Sequence, residues 1–293
     1  MEQYDAIIIG HGPAGCSAAL YLCRADKKAA VIGKDRGALG KAEKIENYYG
    51  LPQAIRGSDL VQIGRSQCAE LGAHMIEDEV ISLDWQEDGT YTVQLAGGQI
   101  LAAKTTLLAT GKVTHTPNIE GIREFEGKGV SYCAVCDAFL YKGRNVAVLG
   151  SGAYAKHEME ELLPLAEKVT LLTHGAEPEF DPPKGVAVLS SRLLRLYGED
   201  TLVAAELENG RRQTLQGLFV AFGSASAGDL ARKLGLKLKN NAVAVNENQA
   251  TDLPGLFAAG DCTGTFAQVA FAVAEGAKAG MAMIAYLRNA EKA

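Results

Sequence analysis

Positive charge, long apolar runs and paired cysteines are all scarce in this sequence. Over 293 residues, 29 Lys and Arg stand against 35 Asp and Glu, a formal net charge of −6. That balance argues against a nucleic-acid binder and against a polybasic membrane anchor. No apolar run is read as approaching a transmembrane span, so no membrane partner is expected. The opening "MEQYD" passes straight into "AIIIG" and a glycine turn, the pattern of a buried strand and not of a signal peptide. Of the six cysteines, Cys16, Cys23, Cys68 and Cys262 are scattered singly, and only Cys133 and Cys136 share a spacing with known chemistry. Such usage is expected of a cytoplasmic protein with reduced thiols. There is no low-complexity linker and no short-period repeat. What remains, 47% hydrophobic and 22% charged, is the composition of a globular protein in a chain long enough for two domains.

Two strand–helix–strand modules of similar plan can be read along the chain. The first runs from "YDAIIIG" through a helix near Pro13–Arg24 to "KAAVIG". A helix over Asp59–Leu71 follows, then short strands at "EVISLDW", "TYTVQLA" and "QILAAK", and a buried strand at "TTLLATG". The second module begins at "RNVAVLG", continues through a helix near Tyr154–Ala166, and reaches "KVTLLTH". Strand-like runs then lead to a last block, from "GLFVAFG" to a long apolar helix near Gln268–Leu287. That block has the character of the first module's missing strands and covering helix. The expected division is therefore residues 1–114 with 217–293 as one domain and 115–216 inserted in it, the two crossings forming a hinge.

"GHGPAG" puts Gly10, Gly12 and Gly15 in a G-x-G-x-x-G turn, with Pro13 and Ala14 opening the helix. Glycine keeps the turn tight, lets backbone approach a pyrophosphate, and brings helix and strand together. The anion then rests on free N–H groups at the helix start. The second strand ends at Gly33 and Lys34, where an acidic ribose ligand is often found; Asp35 comes late. Downstream, "LFAAGDC" places Gly260 and Asp261 after a buried strand, where an Asp can bond the sugar-alcohol chain of a flavin. The alternative for Asp261 is a cap on the last helix. Both motifs belong to one ligand only if a dinucleotide spans the module, and FAD fits that better than NAD.

"SYCAVCDAF" carries Cys133 and Cys136 with two residues between them, a spacing that can close a local disulfide with reactive thiols. The other reading is half of a zinc site, but no second pair supplies the remaining ligands, and no metal is expected. Asp137 follows the pair directly, as a proton carrier for thiolate and flavin or as an ordinary turn residue.

"GHGPAG", "ENYYG", "LLATG", "CAVCDAF", "GSGAYA", "LFVAFG" and "LFAAGD" occur in the order and spacing of the low-molecular-weight thioredoxin reductases, which the chain resembles over essentially its whole length. The resemblance implies two Rossmann-like three-layer ββα nucleotide-binding domains, with FAD in the first and the redox disulfide in the inserted second. It makes Cys136 the sulfur nearest the flavin, Cys133 the thiol that exchanges with thioredoxin, and Asp137 the acid. It adds Asn47, Val80, Thr110, Gly111, Gln268 and Val269 to the flavin contacts. It also implies a homodimer that alternates between two domain orientations, because a CxxC that must meet both flavin and protein has to swing.

The chain departs from that family at its second nucleotide site. The fingerprint Gly150-x-Gly152-x-x-Ala155 is present, but from Val169 to Pro183 there is no Lys or Arg. Glu177, Glu179 and Asp181 crowd that stretch with charge that repels a ribose 2′-phosphate. An NADH ribose is served only if Glu177 reaches back to it. "GKDRGALGKAEKIENYYG" and "GDCTG" resemble the branch of ferredoxin-dependent flavin thioredoxin reductases and others lacking the NADPH site. That resemblance implies ferredoxin as donor, giving one electron at a time. An acidic carrier calls for a local basic patch, and Arg123, Lys128, Lys142, Arg144 and Lys156 supply only scattered charge. Three other readings stay open: an NAD(P)H enzyme with an atypical site, a dithiol oxidase using oxygen, and a flavin redox sensor without turnover.

Overall fold

The structure is a computed structural model that describes residues 1–111 and 117–290. Its first sheet grows from a run of apolar residues that needs cover on both faces. In β1 (Glu2–Ile9) every residue from Ala6 to Ile9 is buried. The strand lies between parallel neighbours β2 (Ala29–Ile32) and β6 (Ile100–Leu108). The crossover to β2 is α1 (Pro13–Arg24), and α2 (Gly57–Glu70) leads to β3 (His74–Ile76) on the outer side of β2. Then β4 (Val80–Trp85) and β5 (Tyr91–Leu95) form an antiparallel meander into β6. The order is β3-β2-β1-β6-β5-β4. The two strands expected at "QILAAK" and "TTLLATG" are one: Lys104 is exposed between buried neighbours, so the pattern passes unbroken through nine residues.

The second unit opens with β7 (Val130–Ser131), α3 (Ala134–Asp137), β8 (Asn145–Leu149), α4 (Ala153–Leu162) and β9 (Lys168–Leu172). It continues with β10 (Ala187–Leu189), a three-stranded antiparallel sheet of β11 (Leu193–Gly198), β12 (Leu202–Leu207) and β13 (Arg212–Thr214), and β14 (Gly217–Val220). The parallel sheet has the order β10-β9-β8-β14-β7. Here the expected domain boundary needs correction. The chain divides into Met1–Val113 with Ser226–Ala293, and Thr114–Ala225, so "GLFV" completes the second sheet and not the first. All four residues of β14 are buried between β8 and β7, and a side chain on Gly217 would lie 2.6 Å from the Tyr141 ring. The return expected at 217 thus falls at 226; the outgoing crossing expected at 114–115 lies outside the described residues.

Back in the first unit, α5 (Ala227–Lys233) starts from a capping box between Ser226 and Asp229. The β15 (Leu238–Lys239) and β16 (Ala242–Val243) hairpin follows, then β17 (Leu256–Ala258), which pairs with the second half of β6. The chain ends its described course in α6 (Val269–Ala290). At 22 residues, with an 18-residue stretch of mean hydropathy 1.3, α6 is long and apolar enough to cross a membrane by length and composition, which corrects the expectation that no run approaches a span. In this fold it packs on α1, where Ala18, Ala19 and Leu22 meet Ala279, Met283 and Leu287 in one core. The approach is close enough that a Cβ on Gly276 would sit 2.0 Å from the Ala14 carbonyl oxygen.

Replacing Gly276 by Ala therefore overpacks a backbone contact and is expected to destabilise the first unit by roughly 2–3 kcal/mol. Urea unfolding checks this, with Ala274→Ser, on the exposed side of α6, expected to stay within about 0.5 kcal/mol of the parent. Equal stability of the two variants would refute the packing argument.

Candidate cofactor cradle and redox disulfide

The first fingerprint folds as its glycines require. Gly10 has φ 116°, and a Cβ there would lie 2.1 Å from the Ala109 oxygen; one on Gly15 would lie 1.8 Å from the Gly10 oxygen. Gly12, which precedes α1, faces open space, with nothing within 4 Å of where its Cβ would be. Pro13 takes the first position of α1, where its missing N–H costs nothing. The second motif arrives at the same place from far along the chain: a Cβ on Gly260 would lie 3.0 Å from that of Ala14. Gly260 (φ 82°) gives its N–H to Glu275 Oε2 of α6 at 2.7 Å, and Asp261 opens a short 3₁₀ turn. Since α6 begins at Val269, eight residues later, Asp261 is not its cap.

The remaining expected residues belong to the same unit. Asn47 donates to Gln268 Oε1 at 3.0 Å, joining residues 221 apart in sequence. Thr110 Oγ1 accepts the N–H of Ala227 at the start of α5, and Gly111 beside it has φ 76°. Val80 is buried on β4, and Val269, with His11 and Pro13, lines a cavity of about 270 Å³. At the end of β2, a Cβ on Gly33 would strike the His11 ring at 2.5 Å. The ring bonds the carbonyl of Asp35, while the Asp35 carboxylate accepts the N–H of Gly37. Lys34 Nζ lies 2.8 Å from Glu79 Oε2, and the Glu79 side chain is only 4% exposed, its Oε1 buried with no hydrogen-bond partner. A cradle closed to any Cβ, an open glycine at the helix start and an orphaned buried oxygen together suit a dinucleotide, and the residues present fit FAD.

Burial holds His11 below the usual histidine value; the Asp35 carbonyl opposes the shift and the Arg65 guanidinium adds to it. A histidine kept neutral in the fold but free to charge when unfolded stabilises the native state fully above its unfolded value, near 6.5. That contribution is lost as pH falls towards the lowered folded value.

In the second unit, Cys133 and Cys136 are joined in a disulfide, with their Cα atoms 5.3 Å apart. Cys133 caps α3, its Sγ accepting the N–H of Cys136 at 3.1 Å. Cys133 is buried and Cys136 half-buried. Ser131 on β7 organises the turn: its hydroxyl donates to Asp137 Oδ2 at 2.7 Å and accepts the Cys133 N–H at 3.1 Å. Asp137 is therefore oriented towards the start of the CxxC turn. Glu158 of α4, 1% exposed, accepts the Ala134 N–H at 2.5 Å. Burial, with the Asp137 charge beside it, pushes the Tyr141 phenol up. Val135, Phe139 and Leu140 are exposed around the pair.

The second fingerprint repeats the first in its glycines but not in its opening. A Cβ on Gly150 would lie 2.1 Å from the Ala221 oxygen, and Ala155 is fully buried. After β9 the chain turns tightly, with Thr173 bonded to the Ala176 carbonyl, His174 at φ 51°, and the Leu193 N–H donated to His174 Nδ1. It then folds back so that Glu179 N bonds the Ser151 carbonyl at 2.8 Å. A Cβ on Gly152 would lie 3.3 Å from Glu179 Oε2. Glu179, and not Glu177, thus reaches the second fingerprint, and a carboxylate lies against the glycine that a pyrophosphate would approach. Sequence reasoning marked Glu179 only as local charge. It missed Glu79, Ser131, Glu158 and Glu275 altogether, because nothing in a sequence says which distant amide or ammonium a carboxylate or hydroxyl will meet.

A dinucleotide cradle in one unit and a redox disulfide in the other define a class, and the chain belongs to the pyridine nucleotide-disulphide oxidoreductase family, whose pattern matches residues 4–276. More narrowly, it is a flavin disulfide oxidoreductase of the low-molecular-weight thioredoxin reductase kind, a group that binds FAD. It is 33% identical to a thioredoxin reductase of Aquifex aeolicus over 99% of this chain and 95% of that one. The crystal structure of the atypical thioredoxin reductase TRi from Desulfovibrio vulgaris Hildenborough matches with a TM-score of 0.92 and 38% identity, over 97% of this chain and 98% of that one. A ferredoxin-flavin thioredoxin reductase from Clostridium acetobutylicum matches with a TM-score of 0.77 and 30% identity, over 99% of both chains.

From the His11 shift, the melting temperature is expected to fall as pH is lowered from neutral through the histidine range, and His11→Gln to flatten that slope. Thermal scans across a pH series check it. An unchanged slope in the variant would remove His11 as its source.

Proposed function

We propose that this chain reduces the disulfide of thioredoxin through FAD and the Cys133–Cys136 pair, and that its electrons come from ferredoxin and not from NADPH or NADH. The observation that carries the donor reading is Glu179 against Gly152 of the second fingerprint. A carboxylate held there repels a pyrophosphate, and from Val169 to Pro183 the chain carries no Lys or Arg of its own for a 2′-phosphate. The likeness to a protein named ferredoxin-flavin thioredoxin reductase supports the same reading.

FAD, when bound, supplies a carrier that takes electrons singly or in pairs and can deliver two to a disulfide. The chain's own residues do the rest. Gly10, Gly12 and Gly15, with Pro13 and Ala14, would present the turn to its pyrophosphate, and Asp261 would bond its sugar-alcohol chain. Asn47, Val80, Thr110, Gly111, Gln268 and Val269 would complete the flavin contacts, Gly33 and Lys34 would serve the ribose, and Gly260 would act beside Asp261. In exchange, the Cys133 thiolate attacks thioredoxin's disulfide and expels one thiolate, forming a mixed disulfide. Cys136 then attacks the Cys133 sulfur, restoring the internal bond and releasing thioredoxin as a dithiol. Asp137, oriented by Ser131, moves the proton between thiol and leaving thiolate. A homodimer and a cytoplasmic setting belong to this reading. The first is supported by exposed Tyr49, Phe266 and Phe271 on the first unit, the second by four free cysteines among the described residues.

Anaerobic titration tests the donor. NADPH and NADH are expected to leave the flavin oxidised, and reduced ferredoxin to bleach it and sustain thioredoxin reduction. Bleaching by NADPH at a turnover rate would sink the donor assignment, while rapid oxygen uptake with a small dithiol would favour an oxidase. Turnover abolished by Cys133→Ser is expected and would remove the sensor reading.

The sulfur roles have their own test. Cys136→Ser is expected to accumulate a stable mixed disulfide with thioredoxin through Cys133, and Cys133→Ser to accumulate none. Trapping by the second variant alone would reverse the assignment, a real alternative given that Cys136 is the more exposed of the two.

A further inference from the structure

β1, β2 and β3 run parallel, so their carboxyl ends share one edge of the first sheet. The fingerprint turn follows β1 there, Gly33 follows β2 and gives its N–H to Ile76 of β3 at 3.0 Å, and Glu79 comes three residues past β3. Ligands of such sheets lie outside that edge, and a dinucleotide site ordinarily closes its second strand with an acid that takes the ribose hydroxyls. This chain leaves no room for one, because a Cβ on Gly33 would lie 2.5 Å from the His11 ring. Lys34 stands next, and its Nζ lies 2.8 Å from Glu79 Oε2. We propose that Glu79 takes the missing acid's place, its free Oε1 accepting a ribose hydroxyl of the FAD adenosine. The inference rests on FAD in the first unit and not on the choice of electron donor.

The Glu79 carboxyl group is fixed in place but only half used. Its backbone is held on both sides: the N–H is given to Asp78 Oδ1 at 2.7 Å, and the carbonyl accepts the Ala96 N–H at 2.8 Å. The side chain is 4% exposed, and Oε1 is buried with no hydrogen-bond partner among the described residues. An oxygen buried unpaired costs a fold stability, and a ligand that donates to it removes that cost on binding. The neighbouring acids are engaged elsewhere: Asp35 accepts the Gly37 N–H, Asp78 Oδ2 the Gly97 N–H, and Glu77 lies 3.5 Å from Arg65. The adenosine of FAD brings two kinds of donor, the ribose hydroxyls and the adenine amino group. Glu79 is tied to Lys34, beside Gly33, which abuts His11 of the pyrophosphate turn. The ribose is the part of adenosine bonded to the pyrophosphate, so its hydroxyls come to this place and the base lies farther out.

Glu79→Met keeps the length of the side chain and removes both oxygens, while Lys34, its side chain 46% exposed, can turn to water. Flavin is stripped from the full-length protein, and rebinding is followed by quenching of flavin fluorescence. The probes are FAD, its 2′,3′-dideoxyadenosine analogue and its hypoxanthine analogue. The parent is expected to hold FAD about tenfold more tightly than the dideoxy analogue, the worth of one hydrogen bond to a buried carboxyl oxygen. Glu79→Met is expected to lose about tenfold for FAD and to bind FAD and the dideoxy analogue alike. Without ligand, its melting temperature is expected to equal or exceed the parent's, because the unpaired oxygen is gone. A role confined to holding Lys34 gives the opposite result. A lower melting temperature without ligand, with the same preference for FAD over the dideoxy analogue in both proteins, would overturn the proposal. Discrimination against the hypoxanthine analogue alone would put the oxygen on the base and overturn the ribose assignment. Should Glu79→Met fail to fold, the parent decides: equal affinity for FAD and the dideoxy analogue overturns the idea, and a tenfold preference supports it. None of these measurements uses thioredoxin, ferredoxin or NADPH. Their failure leaves the proposed function standing, and bleaching by NADPH would count against the donor alone.

Discussion

A peptide turn can hold a phosphate only where nothing stands between its amides and the anion, and both halves of this molecule are organised around that constraint. The two fingerprints are built alike: Gly10 and Gly150 each leave no room for a Cβ, which would lie 2.1 Å from a carbonyl oxygen of the neighbouring strand segment. They part company one step later. Gly12 faces open space, whereas Gly152 faces the carboxylate of Glu179. The difference does not lie in the glycines. It lies in the segment after β9, which bonds back to Ser151 through its own backbone and so brings an acid to the turn.

The second unit keeps a further use for the same helix. While the start of α4 meets Glu179, its next turn supplies Glu158 to the amide that follows Cys133. β7 is only two residues long, yet it sets Ser131 where one hydroxyl bonds both Asp137 and the Cys133 amide. The CxxC turn is thus held from two elements, by a hydroxyl on β7 and a carboxyl group on α4.

Much of the fold was legible because its signals are local. "AIIIG" followed by a small-residue helix reads as a strand and turn wherever it is met, and the CxxC spacing reads as reactive thiols. The errors fell where a short apolar run carries no address. "GLFV" is equally fit for the interior of either sheet, and only its pairing with β8 and β7 shows which one it joins. In the same way, the pause at Lys104 suggested two strands until the burial on either side proved continuous. The helix at the chain's end was underrated as an apolar span, because alanine and glycine keep its character modest while its length is full.

By itself the sequence determined the covalent devices: two glycine turns that only glycine can make, one pair of cysteines within reach of each other, and an Asp behind a buried strand. These depend on steric exclusion and on separations of a few residues, which any fold must respect. Tertiary structure alone decided what meets those devices. Asn47 finds Gln268, Lys34 finds Glu79, Glu158 finds Ala134 and Glu179 finds Gly152. A long polar side chain can serve any partner within its reach, and only the packed chain determines which partners come within it.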